Sequence, residues 1–276
     1  MEHASKGKFW NGWDGLQKYN FVLFVVHAIL AIVFTIYFNR KDLTQSKVNL
    51  SLYNHVFKLD STENVFNVIS QEAYTWPELG IGNLIVTFFA ITAGFHLLYA
   101  FNPGDIYLSG IKRGHNYIRW IEYSITATLM IVIIAALSGV KDIKAYFLLV
   151  TSAFAMIWTG YWFETSPLGS ARWIPIFIGF VLLFGIVLTI WTSFHDRLSD
   201  VQEAGYNIPS WLWVTVIIMF LFYSSFGFVP IAQQLWKGDF RKYEYVYLSL
   251  SLAAKATLGM LVAYGFGQRA AAEQPS

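Results

Sequence analysis

Long apolar runs separated by short polar breaks dominate this chain. Seven of them approach or exceed the roughly 20 residues that cross the hydrocarbon core of a bilayer as a helix. They fall at roughly Tyr19–Phe38, Ile81–Phe101, Asn116–Leu137, Ala145–Phe163, Trp173–Phe194, Pro209–Leu235 and Tyr243–Phe266. A backbone in lipid must satisfy its own polar groups, so each run is predicted to be helical. The breaks carry matching punctuation. Asn102-Pro103-Gly104 stops the second run, Ser166-Pro167-Leu168-Gly169 divides the fourth from the fifth, and Asn207-Ile208-Pro209-Ser210 opens the sixth. Trp10, Trp13, Trp76, Trp120, Trp162, Trp173, Trp211, Trp213 and Trp236 lie at or near run ends, where an interfacial belt would place them. The pattern predicts an all-α membrane protein, a seven-helix bundle formed by the whole chain, 1–276.

One connection breaks the rhythm. Residues 39–80 form a long first loop, and Val48-Asn49-Leu50-Ser51-Leu52-Tyr53 partly alternates, which predicts a small β-hairpin. Loops of this length are more often interaction surfaces than slack. Asn49-Leu50-Ser51 also matches a glycosylation acceptor, a triplet that arises often by chance.

Composition agrees with the pattern. Charged residues are 13% of the chain and hydrophobic residues 56%, against about 25% charged in soluble domains. A net charge of +2 gives no reason to expect nucleic acid as a partner. The absence of cysteine excludes disulfides, thiolate metal sites and cysteine nucleophiles. The polar N-terminal stretch lacks a cleavable-signal pattern. Ten Lys and Arg flank the runs on the N-terminal side. Eight lie opposite, or four once the long first loop is discounted. This places the N-terminus in the cytoplasm and the C-terminus outside.

Four ionisable residues lie inside the runs: His27, His96, Glu122 and Lys255. A charge at mid-helix costs roughly 2.5–3.5 kcal/mol on insertion scales. Lys255 is too deep to snorkel. It is either half of a structural ion pair with Glu122, or an amine kept reactive by an apolar pocket for attack on an aldehyde. Small neighbours (Ala253, Ala254, Ala256, Gly259) leave space beside it, although close helix packing explains them equally. Ser251 lies one turn earlier on the same face. Glu122 is also i+3 from Arg119, so a local salt bridge competes with a counterion role. His27 and His96, in adjacent helices, form a candidate proton-accepting pair, but they lack a third ligand for a metal. Glu164 and Asp105, at loop edges, are expected to be solvated. There is no nucleotide-binding glycine loop, no His-Glu-x-x-His and no Gly-x-Ser-x-Gly, so no enzyme chemistry is expected.

At these residues the chain resembles the heliorhodopsins. RWIEYS (119–124), LSLAAKATLG (250–259), FVVHAIL, AGFHLLYA and FLFYSSFGFV (220–229) resemble signatures of the family's third, seventh, first, second and sixth helices. The resemblance implies all-trans retinal held on Lys255 as a protonated Schiff base, with Glu122 as counterion. It implies Ser251 hydrogen-bonding nearby, His27 and His96 in a hydrated proton-accepting region, and Tyr223 and Phe226 near the chromophore. It further implies a homodimer in membrane lipid, to which the first loop contributes. The activity implied is light sensing through a slow photocycle and an unknown downstream partner; the alternative is light-gated or light-driven proton transport, as in some viral relatives. Pro230 departs from the pattern, standing where relatives carry glutamine, and is expected to bend the sixth helix. Without retinal, Lys255 and Glu122 would be a structural pair.

Overall fold

Helix formation in this chain is driven by the need to pair backbone groups inside an apolar environment, and the helix ends show how each run is stopped. The computed structural model describes residues 10, 12–40, 47–48, 50–60, 65–75, 79–203, 205 and 207–272. Helix α1, Gly15–Phe38, starts at a capping box: Asp14 accepts from Leu16 N at 2.9 Å, and Gln17 accepts from Asp14 N at 2.9 Å. Helix α2, Ile81–Phe101, ends at Asn102, which adopts a left-handed conformation. The Asn102 side chain then accepts from Tyr107 N and Leu108 N, which starts a short connecting helix, Ile106–Arg113. Asn116 caps α3, Tyr117–Leu137, and Asp142 caps α4, Ile143–Thr165. Helices α5, Trp173–Glu203, α6, Ser210–Trp236, and α7, Phe240–Ala272, complete the set.

These seven helices are long and apolar enough to cross a membrane, and the chain is an integral multi-pass membrane protein. Each helix packs on its successor in sequence, and α7 closes onto α1, giving a ring of helices. Helix α3 is the most enclosed. Lipid tails are as apolar as leucine, so such a bundle is held by close packing and by polar contacts between helices. The close approaches are visible: a Cβ on Gly82 would lie 2.7 Å from the Phe38 ring, and one on Gly259 would lie 2.8 Å from Phe34. An apolar core rich in Phe34, Phe88, Phe89, Ile133 and Phe194 fills the half of the bundle toward the first loop.

The first loop contains the expected hairpin, shifted along the chain. Strands β2, Ser51–Asp60, and β3, Val65–Thr75, pair antiparallel from Asp60↔Val65 to Ser51↔Thr75, with an irregularity at Leu52/Tyr53. Val48 belongs instead to a separate short pair, β1, Lys47–Val48, with β4, Leu79–Gly80. The alternation seen at 48–53 thus straddles two ladders. Ser51 N donates to Lys141 O at 2.9 Å and Lys144 Nζ to Tyr53 O at 2.6 Å, tying the hairpin to the α3–α4 turn. The Thr75 and Ser51 hydroxyls donate to Glu72 and hold its carboxyl below the usual range. Asn49 of the acceptor triplet and Trp76 lie outside the described residues.

Helix α6 runs through Pro230, as the sixth apolar run predicts. One further expectation meets a different outcome. The tryptophan belt holds for Trp10, Trp162, Trp173 and Trp236, which are exposed, but Trp120 is buried. Its indole Nε1 donates to Glu164 at 2.9 Å, a partner that draws it inward.

Candidate functional site

Lys255 sits on the inner face of α7, 2% exposed. Its Nζ donates to Ser251 Oγ at 2.6 Å and to Glu122 Oε1 at 3.3 Å, and lies 5.3 Å from the Tyr123 ring centroid. The i, i+4 spacing on one helix face brings Ser251 to the amine. Glu122 comes from α3, the innermost helix, and accepts a second bond from Tyr99 Oη of α2 at 3.2 Å. A buried cation is retained only when paired and hydrogen-bonded, and both conditions hold here.

The same amine forms part of the wall of a cavity of about 900 Å³, counting its open mouth. The cavity runs among α3 to α7, and its lining is almost wholly apolar: Tyr123, Met130, Met156, Phe180, Met219, Tyr223 and Phe226 among others. Three glycines cradle it. A Cβ on Gly160 would lie 2.2 Å from Trp120, one on Gly179 2.7 Å from Thr159 Oγ1, and one on Gly227 2.7 Å from Phe180. Tyr223 is held in place by its hydroxyl, which donates to Ala127 O at 2.7 Å. Phe226 packs edge-on against Tyr123, and Pro230 also lines the space. Of the small residues around Lys255, only Ala254 lines the cavity. Gly259 serves helix packing against Phe34 and Phe89, and Ala253 is exposed.

On the other side of the bundle, α1 and α2 bring His27 and His96 together, with ring centroids 4.9 Å apart. His27 Nδ1 lies 2.7 Å from Leu23 O, which can only accept, so in the neutral ring Nδ1 carries the proton. His96 Nδ1 lies 2.7 Å from Asn20 Oδ1. The Asn20 amide is oriented by its Nδ2, which donates to Leu16 O at 2.8 Å, so His96 Nδ1 is also a donor. Both Nε2 atoms are therefore acceptors, and both are buried without a protein partner.

A second ionic cluster lies toward the N-terminal side. Arg119, Glu164 and Glu244 are buried, and the guanidinium is ion-paired to both carboxylates. Glu164 also accepts from Asn116 N and Trp120 Nε1, each at 2.9 Å. Glu244 accepts from Asn116 Nδ2 at 2.8 Å and Tyr107 Oη at 3.3 Å. The structure thus overturns two sequence readings: Glu164 is not solvated, and Arg119 does not form a local bridge with Glu122. Sequence reasoning passed over Glu244 entirely. Two signals were available. Glu164 sits at a helix C-terminus, where the dipole disfavours an acid and so calls for a partner. Glu244 precedes Lys255 by about three helical turns, on the same face.

Residues 16–266 match the Heliorhodopsin family. The chain is a heliorhodopsin family member. Membership implies a retinal chromophore, and heliorhodopsins are rhodopsin-type photoproteins rather than an enzyme family. The residues around the cavity fit that group: an apolar space with a glycine cradle and a buried amine in its wall. The fold also resembles a solved structure, the light-driven proton pump LR (Mac) from Leptosphaeria maculans, with a TM-score of 0.57 and 13% identity over 92% of this chain and 97% of that one. No curated protein matches the chain.

Proposed function

We propose that the chain, 1–276, is a light-sensing retinal photoreceptor in which Lys255 carries all-trans retinal covalently, with Glu122 as counterion. The observation that carries this reading is the position of Lys255 Nζ, buried in the wall of an apolar cavity between Glu122 and Ser251. Retinal, when bound, supplies light absorption and an isomerisation of its polyene. The chain's residues do the rest. Tyr123, Tyr223 and Phe226 wall the polyene, and Gly160, Gly179 and Gly227 leave it room. Glu122 stabilises positive charge at Nζ, and Ser251 Oγ holds the Nζ hydrogen. The two bare Nε2 atoms of His27 and His96 are ready acceptors for a proton released from the Nζ region. The N-terminus faces the cytoplasm and the C-terminus the outside, and the protein works as a homodimer in lipid with a separate signalling partner.

The test is absorbance after adding retinal. Lys255→Ala is expected to have no visible band, and an unchanged band in that variant would sink the assignment. A second reading, light-gated or light-driven proton transport, is favoured by the two facing histidines, whose Nε2 atoms are free to accept a proton, and by the fold shared with a light-driven proton pump. Steady photocurrent under voltage clamp distinguishes them, because a sensor gives a long-lived photoproduct and no such current.

A further inference from the structure

We propose that Asn20 is a proton barrier, a buried amide that lets the histidine pair hold a proton while blocking its escape toward Glu244. The inference rests on the light-sensing reading and adds the residue that confines its proton. Asn20 is fully buried on α1. Its Oδ1 faces His96 Nδ1 at 2.7 Å, and its Nδ2 donates to Leu16 O at 2.8 Å and to Tyr107 Oη at 3.1 Å. Tyr107 Oη in turn donates to Glu244 Oε1 at 3.3 Å. Among the described residues, these bonds form the hydrogen-bonded line from His96 to Glu244.

A proton hops along such a line only if each member accepts on one side and donates from the other. Imidazole, phenol and carboxyl groups do this. An amide oxygen carries no proton to pass on, and an amide nitrogen cannot give up a hydrogen without becoming the imidic acid. Rotation of the amide is blocked as well, because it would set Oδ1 against the Leu16 carbonyl. The line therefore fixes geometry without conducting.

Asn20→Asp keeps the shape and supplies the missing function. The introduced carboxyl group is neutral at rest, with its hydroxyl in the place of Nδ2, facing Leu16 O and Tyr107 Oη; with His96 charged through Nε2, the His96 Nδ1 proton passes to the carbonyl oxygen that replaces Oδ1. That carboxyl group then gives a proton to Tyr107 Oη as Tyr107 gives its own to Glu244. One proton enters at Nε2 and one arrives at Glu244, so the transfer balances.

The experiment uses the retinal-loaded full chain in lipid vesicles, with a water-soluble pH dye and flash absorbance. In the unsubstituted protein the photoproduct is expected to rise and decay with no dye signal. Asn20→Asp is expected to gain a dye signal that follows the photoproduct. A dye signal already present in the unsubstituted protein overturns the barrier, as does a photoactive Asn20→Asp variant that stays silent. Tyr107→Phe, with Asn20 intact, gives an independent reading. Its photoproduct decay and solvent-deuterium effect are expected to be unchanged, and a slowed decay overturns the proposal. Steady photocurrent in the unsubstituted protein sinks the sensor reading and the barrier with it, whereas a silent Asn20→Asp sinks the barrier alone.

Discussion

The two buried ionic clusters of this protein differ in their charge balance. At Lys255 one cation meets one carboxylate, and a hydroxyl and an apolar cavity adjoin it. At Arg119 one cation meets two carboxylates, with backbone, amide and indole donors filling the remaining acceptor sites. Lysine is a point charge that shifts its proton readily, whereas arginine stays charged and offers a fixed fork of donors. The first cation can give up its proton and the second cannot. The difference teaches that buried charges are not all alike: the neighbouring empty space and the choice of cation set these two clusters apart.

The largest expected effect tests that contrast directly. Arg119→Met leaves two carboxylates buried without their cation and is expected to destabilise the chain by about 3–5 kcal/mol. Lys255→Met is expected to cost clearly less, because the one carboxylate left can be neutralised by a proton and keeps its Tyr99 donor. Thermal unfolding of both retinal-free variants in detergent ranks them, and equal losses would erase the contrast. Next, Glu122→Gln is expected to shift the visible band strongly and to make it bleach at lower pH than the parent, since the anion that holds the charge at Nζ is gone. Glu244→Gln is expected to move the band little. A pH titration of the absorbance checks both.

A smaller effect separates the cavity from its surroundings. Gly160→Ala puts a methyl group into the Trp120 ring edge, a strain of roughly 1–3 kcal/mol that is expected to weaken retinal loading. Gly185→Ala, with nothing within 4 Å of the new Cβ, is expected to leave loading unchanged. The amount of pigment formed at limiting retinal compares the two. The smallest change is Tyr223→Phe, which removes one hydrogen bond to Ala127 O and is expected to cost about 1 kcal/mol of thermal stability.

What the sequence by itself determined follows from how costly each feature is in lipid. Seven helices were legible because apolar runs of that length have few alternatives there. Lys255 and Glu122 stood out because each interrupts such a run, and the flanking motifs pointed to the family. The alternation at 48–53 announced a hairpin but not its register, which pairs Ser51 with Thr75 across the loop. What only the tertiary structure decided are the pairings between distant helices. Arg119 finds Glu164 and Glu244, 45 and 125 residues away, instead of Glu122 on its own helix. Asn20, an ordinary polar residue near a helix end, becomes the link between His96 and Tyr107. Near the ends of a run a polar side chain looks solvated, because the sequence does not show which helix will cover it. Only packing seven helices into a ring removes that water and leaves each polar group to the partner its neighbours present.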